Sequence, residues 1–450
     1  MVRSLTAALR QLCDGLATAV TPTAIHAACL AAGHAWRDRR LDPVTTVHLF
    51  LLQILRGNTA CAHLPRLTGQ AFSASAYCQA RARLPLAVCQ ALLRAVTAAA
   101  QPMVDTVGLW RGHRTWFVDG TGVSMPDAPD LTWAFGYAVN QRRGCGFPVA
   151  KVVALFHAGT GLLQCLLPGP LRSHEMARAA HLHPQMRAGD VLVGDRAFGS
   201  YAHLALLVRQ GLHGLFRLNS RRVVDFTPGR VTPGRWDRKG LWGKARSRWV
   251  RTLGPTDQVV DWYKPYVRPA WLTVEEYAAL PKLLRVREAR YTVDRPGFRV
   301  RSVTVVATLL DAEVYPLAAF ADLYRQRWQV ETDLRHLKTT LGMDVLHCRT
   351  EAGILKELTM FAVVYNLVRV VMAEAGRRQG VPVKRISFVD ALRWLATSLP
   401  GAPLPRLVVN PDRPDRVEPR CQKRRGKNYP YMIHPRDVLK QRLLAQTPPT

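Results

Sequence analysis

Residues Val191 to Leu218 read VLVGDRAFGSYAHLALLVRQGLHGLFRL. VLVG is an apolar run that ends in Asp195 and the turn-forming residues RAFGS. YAHLALLVRQG carries apolar residues at helical spacing and stops at a glycine. LHGLFRL is apolar again. Strand, helix and strand in this order predict an α/β domain with a mixed sheet.

The same texture extends toward the N-terminus. TWFVDG, from Thr115, reads as a short buried strand ending in Asp119 and a glycine. FPVAKVVALFHAGTG, from Phe147, reads as another strand closing on a turn. RSHEMARAAHLHPQM, from Arg172, reads as a helix with Ser173 as its cap. Residues 1 to about 105 are rich in Ala and Leu at helical spacing and predict a module of short helices. Within it Ser73 or Ser75 caps a helix bearing Arg81 and Arg83, and Pro85 begins another. Exposed arginines would suit such a module to DNA. Residues 106–218 are then the first part of the α/β core.

Residues 219–300 change character. They hold five of the eleven tryptophans, Trp236, Trp242, Trp249, Trp262 and Trp271, among glycines, prolines and basic residues. A β-rich insertion is expected there. RSVTVVATLL returns to a core strand, and residues 301–378 complete the core with two helices. Residues 379–450 form a C-terminal segment, and its tail after Gly401, which includes the basic EPRCQKRRGKNYPYMIHPR, is expected to lie extended on a surface.

Two aspartates stand out because each ends an apolar strand run. Carboxylates at the carboxyl ends of neighbouring strands point into the crevice where α/β sheets bind ligands. Close carboxylates repel one another unless a cation joins them. An all-oxygen set suits Mg²⁺ or Mn²⁺, and two ions could activate a water or a 3′-hydroxyl. The third acid comes from ADLYRQRWQVETDLRHLKTTLGMD, Ala321–Asp344, read as part of one long helix opened by Pro316. At 100° per residue, Tyr324, Arg327, Glu331, Arg335 and Lys338 share an arc of about 80° beside an apolar stripe. Asp333 points the opposite way, so Glu331 is the site candidate. Charge spacing alone also fits i,i+4 ion pairs on a wet surface. Trp328 lies near the charged arc, suited either to core packing or to stacking on a base.

Composition narrows the partners. Lys and Arg total 63 against 32 Asp and Glu, a formal charge of +31, which attracts polyanions such as DNA. The nine cysteines show neither zinc spacing nor a disulfide framework, so buried free thiols in a reducing compartment are expected. The histidines His157, His174, His181 and His183 lack a convincing zinc pattern. The segment FAVVYNLVRVVMAEA, broken by Asn366 and Arg369, is expected to fall short of a membrane span. No leader pattern is evident, and a soluble intracellular protein is expected.

Asp119, Asp195 and Glu331 together resemble the DDE triad of the IS4-type transposases. The downstream signature of that family is Tyr-x₂-Arg-x₃-Glu-x₆-Lys, met here by Tyr324, Arg327, Glu331 and Lys338. WFVDGTGVSMPD, VGDRAFGSY and KRRGKNYP are similar to the corresponding family segments. The resemblance implies a ribonuclease-H-like catalytic core interrupted by the β-rich insertion, an N-terminal helical domain and a basic tail. It implies a bacterial, cytoplasmic and nucleoid-associated enzyme that uses Mg²⁺, with Mn²⁺ as substitute and two ions per site. Its substrates would be double-stranded DNA with terminal inverted repeats and target DNA, bound by a homodimer in a synaptic complex. The enzyme would cleave the element ends and transfer their 3′-hydroxyls, in some members through a hairpin. Tyr324, Arg327, Arg335 and Lys338 would contact DNA, and Lys423, Arg424, Arg425 and Lys427 in the tail would add phosphate contacts. The competing readings are a nuclease without strand transfer and a non-enzymatic DNA-binding protein.

Overall fold

A computed structural model describes residues 18–138, 141, 144–173, 175–232, 245–293, 302–397, 403–413 and 432–446. The first helices are α1 (Pro22–Ala31), α2 (Pro43–Leu55), α3 (Leu64–Thr68), α4 (Ala74–Arg83) and α5 (Leu86–Thr106). The side chains of Thr21, Asp42 and Ser73 accept the N–H groups of Ala24, Thr45 and Ala76, which starts α1, α2 and α4. Of the two serines considered as a cap, Ser73 is the one used. Pro85 takes the cap position of α5.

The central region contains β1 (Thr115–Ser124), α6 (Pro129–Phe135), β2 (Val149–His157), β3 (Leu163–Pro170), α7 (Glu175–Ala180), β4 (Val191–Gly194), α8 (Tyr201–Arg209) and β5 (His213–Arg217). β2 is antiparallel to β1 and β3, whereas β4 runs parallel to both β1 and β5. The stretch quoted at the outset is therefore a parallel strand pair joined by α8. β3 adds to the expected elements: its LLQCLL run lacks strict alternation, so its periodicity does not separate strand from helix. The helix expected from Arg172 to Met186 is shorter. α7 ends at Ala180, and a separate 3₁₀ turn covers His183–Gln185. The Ser173 hydroxyl accepts from Arg178 and donates to the Pro170 carbonyl.

β6 (Ser247–Gly254), β7 (Asp257–Tyr263), α9 (Val274–Ala278), β8 (Leu283–Thr292) and β9 (Ser302–Ala307) follow. All nine strands form one sheet in the order β3-β2-β1-β4-β5-β9-β8-β7-β6. The strands of the β-rich stretch thus extend the central sheet through antiparallel pairs. Trp262 is buried, and its indole N–H donates to Glu288 at 2.7 Å, which makes it a packing residue. Trp236 and Trp242 lie outside the described residues.

The chain ends with α10 (Leu317–Gln326), α11 (Gln329–Arg335), α12 (Glu351–Gln379), α13 (Phe388–Thr397) and α14 (Arg436–Gln446). α14 corrects the expectation of a wholly extended tail. Lys423, Arg424, Arg425 and Lys427 lie outside the described residues. α12 is long and apolar enough to cross a membrane, contrary to expectation, and so is α5; yet 94% of the most apolar window of α12 is buried inside the protein. Its polar interruptions have partners. Asn366 exchanges two hydrogen bonds with the Leu163 backbone at 2.8 Å, which pairs part of the edge of β3. Arg369 donates to the Thr160 carbonyl and meets Asp333 at 3.2 Å. Gly161, at φ +68°, leaves the guanidinium room that any side chain would fill. The seven cysteines among the described residues are free thiols; Cys78 is exposed, against the expectation of burial.

Candidate active site

Parallel pairing of β1 with β4 stops at Val118 and Gly194. Asp119 and Asp195 are the next residues of the two strands, so they sit side by side where β4 leaves the sheet. Asp119 does not end its own strand, as the sequence suggested. β1 continues against β2 as far as Ser124. Asp119 Oδ1 accepts the Gly120 N–H at 2.8 Å, and Asp195 Oδ1 accepts the Ala197 N–H at 2.7 Å. Each carboxylate is oriented by the backbone that follows it.

The single long helix expected from Pro316 is divided. α10 stops at Gln326, and α11 starts at Gln329. Between them the backbone makes i→i+3 bonds, Arg327 N–H to Tyr324 C=O and Trp328 N–H to Arg325 C=O. A π turn at His336–Thr340 follows α11. The chain then returns to β1, where Ser124 exchanges backbone bonds with Asp344 and Leu346. This return clamps the helical segment to the strand that bears Asp119.

Arg327 links the helix to the sheet. It is only 8% exposed. One guanidinium nitrogen lies 3.5 Å from Asp119 Oδ2 and the other 3.3 Å from Glu331 Oε1. Two of the three expected acids are therefore joined through one buried cation. Tyr324 is buried beside it, and the guanidinium lies within 6 Å of the Tyr324 and Trp328 rings. Trp328 is 50% exposed, so core packing does not account for it. Arg335 is exposed and Lys338 half-buried, and neither has an ion-pair partner among the described residues. Asp333 lies buried in its pair with Arg369, apart from Glu331, as its helical position indicated.

Burial pushes the Asp119 carboxyl up to about 6, and the Asp195 and Glu331 charges add to the rise. The Gly120 N–H and Arg327 oppose it but do not cancel it. Burial also raises the Tyr324 phenol. For Arg327, burial disfavours the charge, but Tyr324, Asp119, Glu331 and Asp195 outweigh it and raise its pKa. Among the described residues, no three His, Cys, Asp or Glu side chains lie close enough to form a closed metal cluster. The donors nevertheless suit a hard cation: they are carboxylate oxygens, and Asp119 is protonated more readily than usual chiefly because it is buried, with neighbours of its own sign adding to the rise.

A family profile for the transposase DDE domain matches residues 110–367. The chain belongs to the DDE transposases. Over 379 residues it is 27% identical to the transposase InsG for insertion sequence element IS4 of Escherichia coli K12, covering 79% of this chain and 78% of the relative. A putative transposase InsZ of the same organism is 28% identical over 103 residues, 23% of this chain and 34% of that one. The chain is of the IS4 type. A solved piggyBac transposase synaptic complex with hairpin DNA aligns at 10% identity and a TM-score of 0.42, over 87% of this chain and 76% of that one.

The transposase also places residues that pattern alone did not single out. Arg217 ends β5, next to β4 in the sheet, and its charge acts on both Tyr324 and Tyr291. Its only sequence signal is a basic residue closing the apolar run LHGLFRL. On the other face of β1, Glu175 pairs with Lys151 at 3.2 Å and lies against Gly120, where a side chain would collide with it. The aspartate–glycine pair in TWFVDG thus serves two faces of one strand.

Proposed function

We propose that this transposase binds the terminal inverted repeats of an insertion sequence, hydrolyses phosphodiesters at the element ends and transfers the 3′-hydroxyls to target DNA. The observation that carries the reading is the placement of Asp119 and Asp195 just past the point where β1 and β4 stop pairing, with Glu331 drawn to Asp119 through Arg327. The strand order β3-β2-β1-β4-β5, antiparallel then parallel, supports a ribonuclease-H-like core at 106–218 and 301–378. Residues 219–300 are its insertion, 1–105 an end-binding helical domain and 379–450 a basic tail. The charge of +31 supports a double-stranded DNA substrate. A homodimer holding two ends in a synaptic complex completes the assignment, in the bacterial cytoplasm near the nucleoid.

Asp119, Asp195 and Glu331 would hold the metal. When bound, Mg²⁺ or its substitute Mn²⁺, two ions in all, supplies Lewis acidity and makes a water or 3′-hydroxyl acidic enough to attack. Tyr324 and Arg327 align the phosphate at the cleaved end, Arg327 by a forked contact. Lys338 acts as a mobile point charge nearby, with Arg335 on the exposed flank. Trp328, half in solvent beside Arg327, offers a ring on which an end base stacks. Lys423, Arg424, Arg425 and Lys427 contact flanking phosphates.

The test is incubation with inverted-repeat ends, target DNA and Mg²⁺ or Mn²⁺, with both strands mapped. Strand-transfer products carrying the element 3′ end in target DNA are expected. Hydrolysis without joining would establish a nuclease instead, and end binding that persists without cleavage would establish a DNA-binding protein. A hairpin on the element or its flank would define the route of excision.

A further inference from the structure

We infer that His203, backed by His183, is a positioning residue for the Asp195 carboxylate. Asp195 belongs to a turn, Asp195–Ser200, between β4 and α8. Within this turn the Phe198 N–H donates to the Asp195 carbonyl at 3.2 Å, and the Ala197 N–H donates to its carboxylate at 2.7 Å. The Phe198 carbonyl accepts from Ser200 N–H at 3.0 Å and meets Nδ1 of His203 at 2.8 Å. Phe198 is fully buried and packs against Gly194, so its carbonyl has few other positions. His203 Nε2 in turn lies 2.8 Å from His183 Nε2, with the rings only 16° from parallel.

The tautomers follow from the partners. A carbonyl only accepts, so His203 Nδ1 carries the hydrogen. Both rings are buried, and burial lowers the pKa of each, so both are neutral at pH 7. His203 Nε2 is then a lone pair, and His183 Nε2 must be the donor. His183 Nδ1 is left bare, in agreement with its having no partner among the described residues. The result is a one-way chain: His183 donates to His203, His203 donates to the Phe198 carbonyl, and that carbonyl anchors the turn that aims Asp195. His203 sits on α8 and His183 on the turn after α7, so the chain also fixes the spacing of two helical segments behind the sheet. Hydrogen bonds behind a ligand orient it, and losing one typically weakens metal binding about 10- to 100-fold.

The inference rests on the proposed metal role of Asp195, and the test separates the two. Mn²⁺ binding to full-length protein without DNA is measured by the loss of the free-ion electron paramagnetic resonance signal. His203→Asn retains an N–H near the Nδ1 position but cannot reach His183. His203→Gln reaches toward His183 but loses the donor to Phe198. His203→Asn should bind Mn²⁺ within about threefold of wild type, and His203→Gln at least about tenfold more weakly. End-DNA affinity should be unchanged in both. His183→Phe, which keeps the packing, should fall between them. Equal Mn²⁺ affinities for the two His203 variants, or affinities that follow melting temperature alone, would overturn the inference. Should His203→Gln fail to fold, wild-type affinity in folded His183→Phe together with a tenfold loss in His203→Asn would overturn it as well. If Asp195→Ala binds Mn²⁺ like wild type, the metal reading itself fails.

Discussion

Replacing Asp119 with Asn should make the resting protein more stable at neutral pH while abolishing DNA cleavage. Its carboxyl is raised from 3.8 to about 6, chiefly by burial. The side chain is 22% exposed, so solvent screening removes only part of that effect. A carboxyl with a folded pKa above its unfolded pKa contributes stability that is complete below pH 4. That contribution is lost as pH rises through 6, because the unfolded chain binds fewer protons across this window. A rise of about two units, at about 1.4 kcal/mol each, makes the loss about 3 kcal/mol as an upper figure. Asn cannot ionise, yet it still accepts the Gly120 N–H. The assay is urea unfolding of wild type and Asp119→Asn at pH 4.5, 6 and 7.5 in EDTA. The curves should lie close together at pH 4.5 and separate in favour of the variant by 2–3 kcal/mol (roughly) at pH 7.5. Excess Mg²⁺ should restore much of the wild-type stability and little of the variant's, because a ligand that binds the folded state stabilises it. Parallel curves at all three pH values, or a variant less stable at pH 7.5, would refute the placement of Asp119 in a pocket where burial outweighs its contact with Arg327.

Arg327→Met should lower cleavage by about 10²- to 10³-fold, the usual loss when a transition-state charge partner is removed, with end binding changed little in a gel-shift titration. Asp333→Ala should cost about 3–5 kcal/mol in urea unfolding, because it strands the buried Arg369, while folded enzyme at low temperature cleaves at the wild-type rate. End-DNA affinity should fall by about 10³-fold or more between 50 and 200 mM salt if at least six phosphates are contacted, and a flat response would contradict the electrostatic interface.

Much of the site was legible because it lies in local pattern. VLVG and TWFVDG are apolar runs that close on an aspartate, and the helix-strand alternation around them indicated a mixed sheet. Order within the sheet was not legible. Pairing of β1 with β4 and of β5 with β9 joins residues far apart in sequence, and no periodicity encodes it. For the same reason the β-rich character of the stretch at 219–300 was legible, and the continuation of its strands into the central sheet was not. α12 illustrates another limit. Asn366 and Arg369 look like interruptions in an apolar helix until the start of β3 and the β2–β3 turn supply their partners. His183 and His203 are 20 positions apart, on segments whose spacing only the fold defines.

The broken helix shows why the face of Glu331 was read correctly although its continuity was not. A 3₁₀ step turns the chain about 120° per residue instead of 100°, so tightening at Arg327 and Trp328 adds about 40° before Glu331. That moves Glu331 from one side of Tyr324 to the other without leaving the same general face. Direction therefore survives the break. Depth is a separate matter, because periodicity says which way a side chain points and not what meets it. On a wheel, Arg327 is one of several cations around an acid. In the fold it is almost fully buried, and its reach to Asp119 crosses from helix to sheet. Like charges gathered at one site are eased by a positive charge between them, and Arg327 supplies one to Asp119 and Glu331. Under the proposed assignment, a DNA phosphate competes with Asp119 and Glu331 for the same guanidinium donors. Arrival of DNA and release of the carboxylates are then linked through one side chain, and Arg327→Met should uncouple them: Mn²⁺ affinity in that variant should no longer change when end DNA is added.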